Sequence, residues 1–313
     1  MEPGLIEYIV PTKRAFERMK DILFRPFDFQ KWFILGFSAW LASLGESGGS
    51  SGGSGSDFDS DDESASDIIG ETVNWIEENL ILVMTIGIII VLIIVAISVI
   101  VLWVQSRGKF MFLDNVIHDR TRISEPWKEF KDIANSLFRW KLVYGLIVAF
   151  AILSMAGWGF YLCWPMVKAE AFDMEVLPWL VTIGVIFTIL ITVLSYISTL
   201  LENFVIPLMH RDGLPTTVAW RKLLPLHREQ AGAFVLFFLW MIVLGILTGL
   251  AVLALIFATC CIAVIPLIIP YLGTVMMLPL YVFLRQVGPE FLKQFGEEFD
   301  TLTIAAKTPP ALN

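Results

Sequence analysis

Residues 80–104 limit what this chain can become more than any other stretch. The run LILVMTIGIIIVLIIVAISVIVLWV holds no charge and no proline, and its one glycine is Gly87. As a helix rising about 1.5 Å per residue it covers about 37 Å, more than the about 30 Å of a bilayer's hydrocarbon core. It therefore predicts a transmembrane helix, and its flanks give that helix a direction. Residues 46–79 carry ten carboxylates and no lysine or arginine, whereas Arg107, Lys109, Arg120 and Arg122 follow the run. Basic residues gather on the cytoplasmic side, so the exit at residue 105 is read as cytoplasmic.

The rest of the chain follows the same logic. Of its 313 residues 57% are hydrophobic and only 17% are charged, against about 25% charged in a soluble domain. The fold class expected is an all-α polytopic membrane protein, one membrane domain over residues 1–313. Six spans are read at residues 32–45, 80–104, 142–164, 177–200, 232–258 and 262–284. The first is short, and Lys31 with a locally thinned bilayer would accommodate it. Pro266, Pro270 and Pro279 predict a bent last helix. With residues 1–31, 105–141, 201–231 and 285–313 inside, the inner segments hold 6, 8, 4 and 3 Lys/Arg, and of the 22 basic residues only Lys168 lies outside. Residues 46–79 are then an extracytoplasmic acidic Ser/Gly loop, too poor in apolar groups to offset its chain entropy and read as disordered.

Short echoes suggest an internal repeat. Residues 16–23 (FERMKDIL) align with residues 127–134 (WKEFKDIA), and Trp220 begins a comparable segment before the fifth span. Each is read as an amphipathic cytoplasmic helix ahead of a hairpin, with Phe16, Trp127 and Trp220 as membrane-surface anchors among anionic headgroups. Phe16, Met19, Ile22 and Leu23 form the apolar face of the first. A second echo follows the even spans: Phe112 precedes His118 by six residues, and Phe204 precedes His210 by six. The expected architecture is three parallel in–out–in hairpins.

Sequence signals for catalysis are poor. The string GESGG at residues 45–49 matches a nucleophile elbow but follows no strand and lies in a glycine tract. No nucleotide, zinc-protease or dinucleotide fingerprint occurs. Cys163, Cys260 and Cys261 have no ligand spacing. A bridge from Cys163 to Cys260 or Cys261 is the alternative to three buried thiols. Gly245 and Gly249, with Ala254 and Ala258, make a small-residue face for a neighbouring helix. The polar residues singled out as a functional cluster are His118, Glu202, Asn203 and His210, near the inner exits. Neither cofactor nor metal is expected. The partners expected are the bilayer, and a membrane protein or a second copy of the chain; nucleic acid is not.

Aromatic-led helices of the Trp-Lys-Glu-Phe type before each odd span resemble the uncharacterised six-helix bacterial integral membrane families. These are akin to the membrane domain of some glycerophosphodiester phosphodiesterases. The resemblance implies the fold and a bacterial cytoplasmic (inner) membrane with both termini inside, and it transfers no active site. The function expected is a non-catalytic scaffold or partner in envelope or lipid homeostasis. The alternative is a permease for a neutral or amphipathic solute that works without an intramembrane charge relay.

Overall fold

A computed structural model describes residues 6–45, 79–169, 177–259 and 263–302. Every regular element among them is helical. Helix α1 is Ile9–Phe24, α2 Phe29–Ser43, α3 Leu80–Ile117, α4 Ser124–Glu129 and α5 Lys131–Ala169. Helix α6 (Leu177–Leu200) runs through a π turn, Leu201–Val205, into α7 (Ile206–Asp212). Then come α8 (Thr216–Glu229), α9 (Ala231–Ala258), α10 (Val264–Ile268), α11 (Pro270–Met276) and α12 (Leu278–Leu292). The acidic loop, the segment after Ala169, Cys260, Cys261 and the side chain of Cys163 lie outside the described residues.

Among the described residues four helices are long and apolar enough to cross a membrane: Leu80–Ile117, Lys131–Leu162, Pro178–Asp212 and Ala231–Ala258. Their apolar windows are almost wholly unburied by protein, which suits helices whose solvent is lipid. The core sits instead at one end of them, around Phe110, Phe204 and Phe234. Phe204 packs on Phe234, Phe237 and Phe291 at ring distances of 5.1, 4.8 and 5.9 Å, and all four rings are buried. Full burial of each such ring is worth about 1.5–3 kcal/mol.

The other two expected spans take different forms. The 32–45 segment is α2, whose 15 residues extend only about 22 Å. It starts on an Asp28 cap, whose carboxylate accepts from the Gln30 amide at 2.8 Å. It lies antiparallel to the C-terminal part of α3. Lys31 pairs with Asp119 at one end, Leu41 and Ala42 abut Gly108, and Gly45 lies beside Val101 at the other. A Cβ on Gly108 would stand 2.6 Å from the Leu41 carbonyl carbon, so the two backbones touch. The 262–284 segment is interrupted twice. Ile269 is extended (φ −79°, ψ 112°) ahead of Pro270, and Met277 caps α11 before α12 begins. A residue preceding proline disfavours the helical region, and proline has no amide to continue the ladder. Helix α12 then runs on to Leu292, into the stretch expected to be a tail.

Helix α1 also differs from its expected setting. Met19, Ile22 and Leu23 are buried with Ala15 against the protein core, chiefly along α12, and only Phe16 of the expected lipid face remains 48% exposed. A 3.6-residue apolar period alone does not say whether the apolar face meets lipid or another helix. Arg18 pairs with Glu290 at 3.4 Å across this contact. The Gln294 amide holds both backbone groups of Glu7, each at 2.9 Å. On α9, a Cβ at Gly245 or Gly249 would meet nothing within 4 Å, so the small-residue face is uncovered among the described residues.

Candidate functional site

The π turn carries the most consequential side chain. In a π turn one carbonyl is bypassed; here the Ile206 amide donates to the Leu201 carbonyl, five residues back, and such turns recur at functional sites. The Glu202 carbonyl accepts from Arg285 Nη1 at 3.2 Å, and the same nitrogen lies 3.3 Å from Glu202 Oε2. Lys141 Nζ donates to Glu202 Oε1 at 2.8 Å, and Lys109 Nζ donates to that oxygen as well. Four elements (α3, α5, the π turn and α12) therefore place three cations on one carboxylate.

The cluster is enclosed. The side chains of Lys109, Lys141 and Arg285 are 3%, 12% and 12% exposed. Charges this far from water need partners, and all three of these cations reach the Glu202 carboxylate. Arg285 Nε and Nη2 are buried without a hydrogen-bond partner. Lys109, Glu202, Asn203, Tyr281 and Arg285 line a cavity of about 200 Å³, with Ala39, Ala42 and Phe112 as its apolar wall. One water in the liquid takes about 30 Å³, so the space suits a group larger than a single water. A larger groove of about 620 Å³, between the start of α1 and α9, is apolar apart from Glu7.

Depth follows from the helix itself. Lys109 lies five residues past the end of the 80–104 run, or about 7.5 Å along the axis. For a bilayer whose hydrocarbon core the 80–104 run spans, that is the level of headgroups rather than of acyl chains.

The four residues singled out from the sequence separate into two groups. Glu202 joins the cationic cavity, and Asn203 borders it while its amide donates to the Thr199 carbonyl at 3.0 Å. His118 and His210 meet elsewhere, on Asp114. Asp114 Oδ1 lies 2.9 Å from His118 Nδ1 and 3.2 Å from His210 Nε2. The Phe130 ring lies 4.8 Å from that of His210. Lys109, Lys141, Arg285 and Asp114 were missed, because each reads in sequence as one more charge at a cytoplasmic helix end. For Asp114 there was a signal: it stands four residues before His118, on the same helix face.

The three aromatic residues read as anchors are placed differently from one another. Phe16 is exposed and meets Phe283 edge-on at 6.0 Å. Trp127 is half-buried, edge-on to Trp103 at 6.1 Å, and Arg107 lies over both rings at 5.3 and 4.3 Å. Trp220 stacks on Trp140 at 5.8 Å.

No curated protein and no solved structure matches the chain. A family described as of unknown function, DUF7544, matches residues 11–293. That match takes in helices α1–α12 except the first two residues of α1, and both polar clusters with them. The chain therefore belongs to the DUF7544 family.

Proposed function

We propose that this is a non-catalytic integral membrane protein that holds the phosphate of an anionic lipid headgroup in the cavity beside Glu202. It would act as a scaffold or partner in envelope or lipid homeostasis. The observation that carries the reading is that Arg285 Nε and Nη2 are buried without a hydrogen-bond partner beside a cavity that Arg285 and Lys109 line. A phosphate oxygen would satisfy the unpartnered Arg285 nitrogens, and a guanidinium is shaped for that contact. Headgroup depth favours a lipid over a soluble anion.

The topology in this reading is six-crossing with both termini inside, and the charge distribution supports it. The broken α10–α12 would supply the interrupted crossing; α2 lies beside residues 101–119 of α3, so the short crossing would need the residues that follow it. Interrupted helices are tolerated at membrane depth where protein covers them. Cysteine labelling decides the topology: an impermeant reagent should reach a cysteine placed within residues 47–67 and fail at one placed at Trp127. The reverse pattern sinks the topology.

Lipid binding is tested in nanodiscs of mixed phosphatidylglycerol and phosphatidylcholine, by mass spectrometry of retained lipid. The full chain should keep phosphatidylglycerol preferentially, and Arg285→Gln and Lys141→Gln should each lose that preference about tenfold. Inorganic phosphate should compete weakly. Folded variants with unchanged lipid preference would overturn the reading, and strong competition by inorganic phosphate alone would make the occupant a soluble anion.

A further inference from the structure

We propose that Asp114, His118 and His210 form a binding site for a divalent transition cation of the zinc class. The site is separate from the cationic cavity: Lys109 precedes Asp114 by five residues on α3, and Glu202 precedes His210 by eight. It rests on three observations that do not involve that cavity.

The first is ligand geometry. One ligand atom from each of the three residues falls within 4.8 Å of the other two. Zinc bonds of about 2.0–2.2 Å put neighbouring tetrahedral ligands about 3.3 Å apart. The two contacts to Asp114 Oδ1, 2.9 and 3.2 Å, need to open by only a few tenths of an ångström. Two imidazoles and one carboxylate are a donor set for zinc and its neighbours rather than for magnesium or calcium, which take oxygen. Three protein ligands leave a fourth position for water.

The second is how the chain delivers those ligands. Asp114 and His118 are four residues apart on α3 and so share a face. His210 comes from the last turn of α7. The site therefore bridges two helix exits, and a metal there would tie them together. The side chains are 10%, 15% and 7% exposed, and Phe130 limits the swing of His210.

The third is the field. His118 caps the C-terminus of the 38-residue α3, and His210 sits at the C-terminal end of the long helix that α7 completes. Each such end presents about half a negative charge. Two helix C-termini and a carboxylate converge on one point, which favours a cation. Arg120 also faces Asp114 and is the resident charge with which an ion would compete.

Without metal the same atoms form hydrogen bonds. His118 Nδ1 lies 3.0 Å from the Asp114 carbonyl oxygen as well as near its carboxylate. On binding, His118 Nδ1 and His210 Nε2 give up any proton they carry, their lone pairs bond to M²⁺, and the protons go to solvent.

The chain contains three histidines, so the wild-type protein contains its own control. Full-length protein in detergent, stripped by chelator, is titrated with Zn²⁺ and with Mg²⁺. The expected result is one bound Zn²⁺ per chain, a raised melting temperature and no response to Mg²⁺. Diethylpyrocarbonate modification, read by peptide mass spectrometry, should be blocked by Zn²⁺ at His118 and His210 and unchanged at His227. Folded His118→Ala should bind about tenfold or more weakly and lose the thermal shift. Absence of stoichiometric Zn²⁺, or protection that is equal at all three histidines, would overturn the proposal even if no variant could be purified.

Discussion

Gly288 lies so close to Asn203 that a Cβ on it would stand 2.4 Å from the Asn203 carbonyl oxygen. This contact sets α12 flush against the π turn, and one turn earlier on α12 Arg285 reaches Glu202. The obstacle to a side chain is backbone, which cannot swing aside. Gly288→Ala is therefore expected to cost about 1–3 kcal/mol through overpacking, and to weaken anionic-lipid retention by displacing Arg285. Thermal unfolding in detergent measures the first effect and lipid mass spectrometry the second. Gly87→Ala is the control, since a Cβ there would meet nothing within 4 Å and should change neither.

Glu202→Gln keeps the shape of the cavity and removes the charge that Lys109, Lys141 and Arg285 share. Removing one partner of a buried ion pair leaves uncompensated charge and costs about 3–5 kcal/mol. The variant should melt well below wild type. It should also gain more stability from added phosphatidylglycerol or phosphate, because anion binding to the folded state alone raises stability by mass action. Melting temperature against anion concentration checks both parts. A variant as stable as wild type and indifferent to anions would leave the cationic cavity without an energetic role.

Uninterrupted apolar runs made the membrane class and the four long helices legible, because 20 or more uncharged residues have few other fates. Glu202 and the histidines could be picked out because they interrupt or follow such runs. Their partners could not. Lys109 and Lys141 look in sequence like any positive-inside residues, and only the packing of α3 and α5 against the π turn turns them inward. His118 and His210 were paired by spacing to their phenylalanines, but the carboxylate between them belongs to neither echo. Helix α1 shows the same limit, since an apolar stripe reads alike whether it faces lipid or α12.

His227 predicts a pH dependence outside the membrane-spanning helices. Burial pushes its imidazole below the usual value of 6.5, and its Nε2 shares a hydrogen bond of 2.7 Å with the Tyr196 hydroxyl. The unfolded chain then binds more protons than the folded one between the depressed folded value and 6.5. Stability from this group is fully present above about pH 6.5 and falls as the pH drops through that window. His227→Gln can still hydrogen-bond the hydroxyl and does not titrate. Melting between about pH 5 and 8 should slope downward toward acid less steeply in the variant, and parallel slopes would remove His227 from the account.

Trp127 was read from the sequence as a lipid anchor, and its contacts give it a second partner. The Arg107 guanidinium lies 5.3 Å from its ring and 4.3 Å from that of Trp103, with Nε buried and without a hydrogen-bond partner. A desolvated cation over an indole is worth about 0.5–2 kcal/mol, and the flat guanidinium stacks where an ammonium cannot. If this contact holds α4 to α3, a double-mutant cycle of Arg107→Ala and Trp127→Ala should give a coupling energy of about that size in thermal unfolding. Arg107→Lys should recover only part of it. If Trp127 instead draws its stability from headgroups, the two substitutions add without coupling, and the loss on Trp127→Ala should follow lipid composition rather than the residue at position 107.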